Sequence, residues 1–178
     1  VHYSQQDTKK KKGSHSPTIF TDDFLKYYSV AKNYNLDIML EVKDKDFSAI
    51  KTINLIKESQ NALTEVDRLM EIERYKLYLI EKGEDILKKA KDLILFSDIK
   101  DFYLYIDNLY YKEPTSASTN KALVEGFKLI EENINSRETN HFFKLKNERN
   151  YSKAKEYLHK LAEKYLCYEL LSSYFFHN

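Results

Sequence analysis

The sequence predicts a mostly α-helical chain in two parts, a short strand–helix–strand–helix segment over residues 1–60 and an all-helical domain over 61–178. Three observations predict it. Only three Gly and two Pro stand beside fifteen Tyr and ten Phe, a balance that favours long aromatic-rich helices over a turn-rich β fold. The clearest strand pattern, Leu36 to Leu40, is a short apolar run ending at Glu41. From about Asn61 onward no strand pattern of any length remains, and apolar residues recur at helical spacing.

Residues 1–20 read as the end of a strand and a loop. Ser4 to Thr8 and the run Lys9 to Lys12 lack periodicity, and Gly13 and Pro17 mark turns. Thr21 is placed to cap a helix whose first turn carries Asp22 and Asp23, with Phe24, Tyr28 and Ala31 on one face. The buried parallel strand to Glu41 follows, and Asp46 caps the next helix, whose broad stripe is Ala49, Ile50, Ile53 and Ile56 with Leu55 beside them. This is one βαβ unit with its following helix. Such a unit is no sheet by itself, which leads us to expect a longer protein.

The helical domain opens with Leu63, Val66, Leu69 and Met70 as a stripe that continues through Tyr75, Tyr78 and Leu79 to Gly83. Ile86 to Ile94 and Phe102 to Leu109 give two more helices. Pro114 to Ser118 reads as a loop and Asn120 as the start of a helix with Gly126 inside it, a position that suits a close helix crossing. A helix around His141 to Leu145 and one long helix from about Ser152 to Phe176 complete the set.

The 29 basic and 28 acidic residues nearly cancel, so overall charge does not point to a nucleic-acid binder. One cysteine, Cys167, excludes an internal disulfide framework and reads as an inert buried thiol. No apolar run approaches the roughly 20 residues of a membrane span, and no signal-peptide pattern is present, so we expect a cytoplasmic location without membrane contact.

The candidate chemistry lies in residues 2–45. His2, His15 and Glu41 are the right donors for a borderline or hard divalent ion such as zinc or manganese. Three such donors leave positions open for water or a phosphate oxygen, which metal-assisted phosphodiester hydrolysis requires. Isolated histidines on polar segments are more commonly just solvated, and the same bland reading applies to Lys9 to Lys12. Lys43 and Lys45, beside the strand end, are better placed for DNA phosphate. His141, His159 and His177 recur every 18 residues without a carboxylate pair and read as packing or surface histidines.

His2-Tyr3-Ser4, Gly13-Ser14-His15-Ser16 and Asp37-Ile38-Met39-Leu40-Glu41-Val42-Lys43-Asp44-Lys45 together resemble the closing segment of the UV damage endonucleases. That resemblance, over roughly residues 1–57, implies the last βαβα units of a TIM (β/α)8 barrel. It implies His2, His15 and Glu41 as metal ligands, with Glu41 and His15 catalytic, and a divalent cofactor, manganese first and zinc or magnesium as alternatives. The implied reaction is nicking of damaged double-stranded DNA on the 5′ side of UV photoproducts, by a complete protein expected to be a monomer. The family's other ligands and damage-probing residues belong to earlier strands, so these 178 residues alone are expected to be inactive. Tyr75 to Leu79, the Asn120 to Phe127 helix and the closing helix resemble a small helical domain of obscure function that follows the barrel in some members.

Two other readings stand beside this one. The chain could be another TIM-barrel metalloenzyme, an abasic-site endonuclease or a sugar isomerase, which shares a His and Glu cluster. It could also be a helical protein-interaction module with a vestigial barrel end.

Overall fold

A computed structural model of the chain describes every residue except Thr8 and Asn178. The chain is mostly helical, as predicted. Two short strands, β1 (His2–Tyr3) and β2 (Met39–Leu40), pair in parallel with His2 opposite Met39 and Tyr3 opposite Leu40. Parallel pairing needs a crossover, and helix α1 (Thr21–Ala31) provides it. Helix α2 (Asp46–Ser59) follows β2. The helical part is α3 (Glu65–Lys82), α4 (Glu84–Phe96), α5 (Ile99–Leu109), α6 (Ser116–Lys128), α7 (Ser136–Asn147), α8 (Tyr151–Lys164) and α9 (Tyr168–Leu171), with 3-10 turns at Glu131–Asn133 and Tyr174–Phe176.

Phe24 and Ala31 of α1 are buried and Tyr28 half-buried, as their shared face predicts. Phe24 stacks on Tyr28 at 5.9 Å and meets Tyr3 edge-on at 5.8 Å, which ties the crossover helix to β1. The expected buried strand over 36–40 is shorter and more open. Its paired part is Met39–Leu40, Leu36 is 43 % exposed and Met39 59 %, because among the described residues β2 has β1 as its only neighbouring strand.

The expected apolar stripe of helix α2 is only partly inward, with Ala49, Ile50 and Ile56 half-buried. Ile53 is 50 % exposed, whereas Phe47, Lys51, Asn54 and Leu55 are buried. Polar contacts set this orientation: the Lys51 ammonium is ion-paired with Asp107 of α5, and the Asn54 amide donates to the Tyr103 hydroxyl at 2.9 Å. Neither Thr21 nor Asp46 caps its helix. Phe20 and Lys45 hold the N-cap positions without a side-chain bond, and the Thr21 amide instead donates to Asp107 at 2.7 Å.

Several boundaries in the helical part differ from expectation. Val66, Leu69 and Met70 are exposed, because the inner row of α3 runs through Arg68, Ile72, Tyr75 and Leu79. Arg68 takes an inner position by donating to the last carbonyls of α4, Ile94 O and Ser97 O, each at 2.9 Å. Thr115 caps α6 in a reciprocal pair with Ser118, so helix begins inside the expected loop. The expected 152–176 helix is broken into three pieces. Leu166 sits at φ 51°, the Cys167 amide turns back to the Ala162 carbonyl at 2.9 Å, and α9 starts afresh. Cys167 is therefore half-buried at a helix start rather than inside an apolar helix.

Two apolar clusters result. The first joins Ile19, Phe24, Phe47 and Leu55 with Ile72, Tyr75, Tyr78, Phe102 and Tyr174, so residues on both sides of position 60 share it. The second packs Leu77, Leu123, Phe127, Phe142, Leu158 and Leu170. Gly126 permits a close crossing in it: a β-carbon there would lie 3.0 Å from Leu158 Cδ2 and 3.3 Å from Leu77 Cδ1.

Candidate metal and phosphate site

Three separate segments bring the sequence-predicted donors together. His2 lies on β1, and Glu41 follows β2, held level with it by the Glu41 amide donating to the Tyr3 carbonyl at 2.9 Å. His15 returns through an antiparallel bridge to Gln6. That loop closes through Asp7 N to Ser14 O at 2.9 Å, Ser16 N to Gln5 O at 2.7 Å and Gly13 N to the Gln6 side chain at 2.7 Å. Gly13 sits at φ 88°, a conformation glycine adopts without a steric cost.

The Glu41 carboxylate lies between the two imidazoles. One oxygen is hydrogen-bonded to His2 Nδ1, and the other lies 3.7 Å from His15 Nε2. The hydrogen bond from His2, together with the charge of both histidines, holds the Glu41 pKa below its ordinary value. All three side chains remain open to solvent, at 65 % for His2, 49 % for His15 and 37 % for Glu41. Two imidazoles and a carboxylate facing one another fit a divalent cation in kind and in convergence. Their present spacing is that of a hydrogen-bonded His2–Glu41 pair with His15 beside it; among the described residues no three such side chains are spaced as a ligand shell.

Basic residues flank the trio. Lys43 and Lys45 are exposed, and Lys10 lies close enough to Lys43 to lower its pKa. The Lys9 ammonium sits 3.9 Å over the Tyr111 ring, beside a cavity of about 730 Å³ lined by Gln5, Lys10, Phe20 and Tyr110. The remaining histidines do not join the trio. His141 packs on Tyr157 at 4.6 Å, His159 on Phe176 at 4.8 Å and His177 on Phe47 at 4.7 Å, the packing role their sequence context predicts.

Sequence reasoning missed the buried polar layer beneath this face. Lys51 is 1 % exposed and pairs with Asp107, Glu71 is 1 % exposed beside Arg74, and Asp44 is 4 % exposed with its Oδ1 accepting from Ser48 Oγ at 2.5 Å. The spacing of Phe47, Lys51 and Leu55 was a usable sign, since it sets a lysine within an apolar i, i+4, i+8 row.

The chain is 45 % identical over 164 residues to the UV DNA damage endonuclease of Clostridium perfringens (strain 13 / Type A), a match over 92 % of this chain. It spans 39 % of the length of that relative. No family model matches the chain, and no solved structure does. Within the described residues, no helix is long and apolar enough to cross a membrane. Over nearly its whole length the chain is thus similar to a UV DNA damage endonuclease.

Proposed function

We propose that this chain is the C-terminal part of a UV DNA damage endonuclease, in which residues 1–60 close a TIM barrel and residues 61–178 form a helical domain behind it. The carrying observation is the convergence of His2 and His15 on Glu41 from three segments distant in sequence. The likeness to the clostridial endonuclease over 92 % of the chain gives that convergence its reaction class. The open edge of the two-stranded sheet and the exposed Ile53 of α2 also fit a longer barrel protein.

In this reading His2, His15 and Glu41 hold a divalent cation, manganese first and zinc or magnesium as alternatives. When bound, that ion supplies a water of lowered pKa and neutralises charge on the scissile phosphate. Glu41 and His15 act at the reaction centre: both would hold the ion there, with the carboxylate orienting the attacking water, while His2 fixes the carboxylate through its Nδ1. Lys43 and Lys45 contact the phosphodiester backbone of damaged double-stranded DNA on the 5′ side of a photoproduct. The complete protein acts as a cytoplasmic monomer, and these 178 residues alone carry no nuclease activity.

The test is nicking of irradiated and of abasic duplex DNA by the full-length protein. Preferential nicking of irradiated DNA, lost in Glu41→Gln, is expected. Full activity in Glu41→Gln would sink the assignment, and preference for abasic DNA would move it to the other barrel nucleases.

A further inference from the structure

The two lysines that follow Glu41 line a groove of about 410 Å³ whose opposite wall belongs to the helical part. That wall carries Arg74 of α3 with Ser172 and His177 near the chain end. It is firmly seated. Tyr174 packs on Phe47 at 5.1 Å and on Tyr75 at 4.8 Å, and the Ser173 hydroxyl donates to the Arg74 carbonyl at 3.4 Å.

Lys43 and Lys45 form no ion pair among the described residues. Arg74 gives Nη1 to Glu71 at 3.3 Å, and its other guanidinium nitrogens have no hydrogen-bond partner among the described residues. The opposing charges are few. Asp46 is exposed at the mouth. Asp44 lies at the floor, and Glu71 is buried behind Arg74. Burial raises the pKa of both buried carboxyls, that of Glu71 to about 7, so Glu71 offsets less than a full positive charge near neutral pH. His177 faces Asp44, His159 and Asp46, and its own burial lowers its pKa, so the positive charge of the groove comes from the two lysines and the arginine.

We propose that this groove anchors the sugar–phosphate backbone of duplex DNA next to the reaction centre, so that the helical part takes a direct share in substrate binding. The inference rests on the nuclease reading of the trio. Position favours DNA over a small anion. Lys43 and Lys45 follow Glu41 by two and four residues, so at most about 14 Å of chain separates the groove from the trio. Phosphates recur about every 3.4 Å of rise along a strand, which sets the groove within about four nucleotide steps of the cut. A guanidinium with open donors suits bidentate phosphate contact, and two exposed ammonium groups add point charges.

The experiment is fluorescence anisotropy of the full-length protein with a labelled undamaged duplex over a range of KCl concentrations, a readout independent of cleavage. Arg74→Gln and Lys45→Gly are each expected to reduce the log–log salt slope by about 1. Arg74→Lys should retain the slope. Lys45 sits at φ 40° and ψ −100°, a region that side-chain-bearing residues rarely adopt. Lys45→Gly should therefore keep or raise the melting temperature while losing the contact, and where Arg74→Gln unfolds, Ser172→Glu at an exposed position of the helical wall should weaken binding in its place. Slopes and affinities equal to the native ones in folded variants would overturn the groove. If they are equal while irradiated DNA is still nicked, the nuclease reading stands without the groove. Reduced slopes in a native protein that never nicks DNA would support the groove and remove the nuclease reading.

Discussion

In the first 60 residues, Ile53 and Leu36 are 50 % and 43 % exposed, and with Tyr28, Ala31 and Ile56 they form the apolar part of an open groove of about 610 Å³ that also carries Lys32, Asp37 and Asp46. In the helical part, Ala122, Leu123, Phe142 and Leu158 are wholly enclosed. The same kinds of residue at helical spacing thus meet opposite environments. The difference comes from what lies beside each helix. The helix α6 packs against both α3 and α8. By contrast α2 is held to α5 by a buried ion pair and an amide–hydroxyl bond on its inner side, leaving Ile53 facing outward. The lesson is that periodicity identifies a helix and its faces, and neighbouring elements decide which face is covered.

The comparison makes Lys51 the most sensitive position of the first region. Lys51→Ala leaves Asp107, 10 % exposed, without its cation, and truncating one member of a buried pair costs about 3–5 kcal/mol. Urea unfolding of the chain measures this, and a loss below about 1 kcal/mol would mean that α2 is held by its apolar contacts instead.

Glu71 gives the next effect, visible as pH dependence. Its pKa rises from an ordinary 4.5 to about 7 on folding, because burial disfavours the charged form. Between those values the native state holds more protons than the unfolded one, so stability is fullest below about 4.5 and falls as pH rises through about 7. The loss is on the order of 3 kcal/mol. Glu71→Gln should flatten that part of the profile, as thermal melts from pH 4 to 8 would record; an unchanged slope would assign it to another group.

In the second region Gly126→Val tests close packing. Its added methyls enter space where even a β-carbon meets Leu158 and Leu77 at 3.0 and 3.3 Å, so we expect a loss of about 1–3 kcal/mol. The smallest effect belongs to the open groove. Ile53→Glu should change the stability of this chain by within about 0.5 kcal/mol. In the full-length protein the same substitution should cost several times more, because barrel strands would cover that side of α2; equal small losses in both would argue against a continuing barrel.

Much of this was legible in the sequence. Phe24 and Ala31 announced the inner face of α1 and Gly126 the close crossing, and the side chains of His2, His15 and Glu41, singled out in the sequence, lie near one another. What stayed hidden depends on partners far along the chain. Lys51 is inside because Asp107 meets it, and Arg68 takes an inner row because the α4 carbonyls accept from it. The break at Leu166 has no glycine or proline to announce it. Arg74 and His177 join the groove beside Lys45 through the packing of Tyr174 on Phe47, which no local pattern encodes.

The most direct test of the account is manganese titration of the full-length protein, read by electron paramagnetic resonance, for native, His15→Ala and Glu41→Gln forms with melting temperatures measured alongside. The account predicts that each substitution loses bound manganese, together with nicking of irradiated DNA, while the exposed site leaves the melting temperature nearly unchanged. Native manganese stoichiometry and affinity in both folded variants would contradict it.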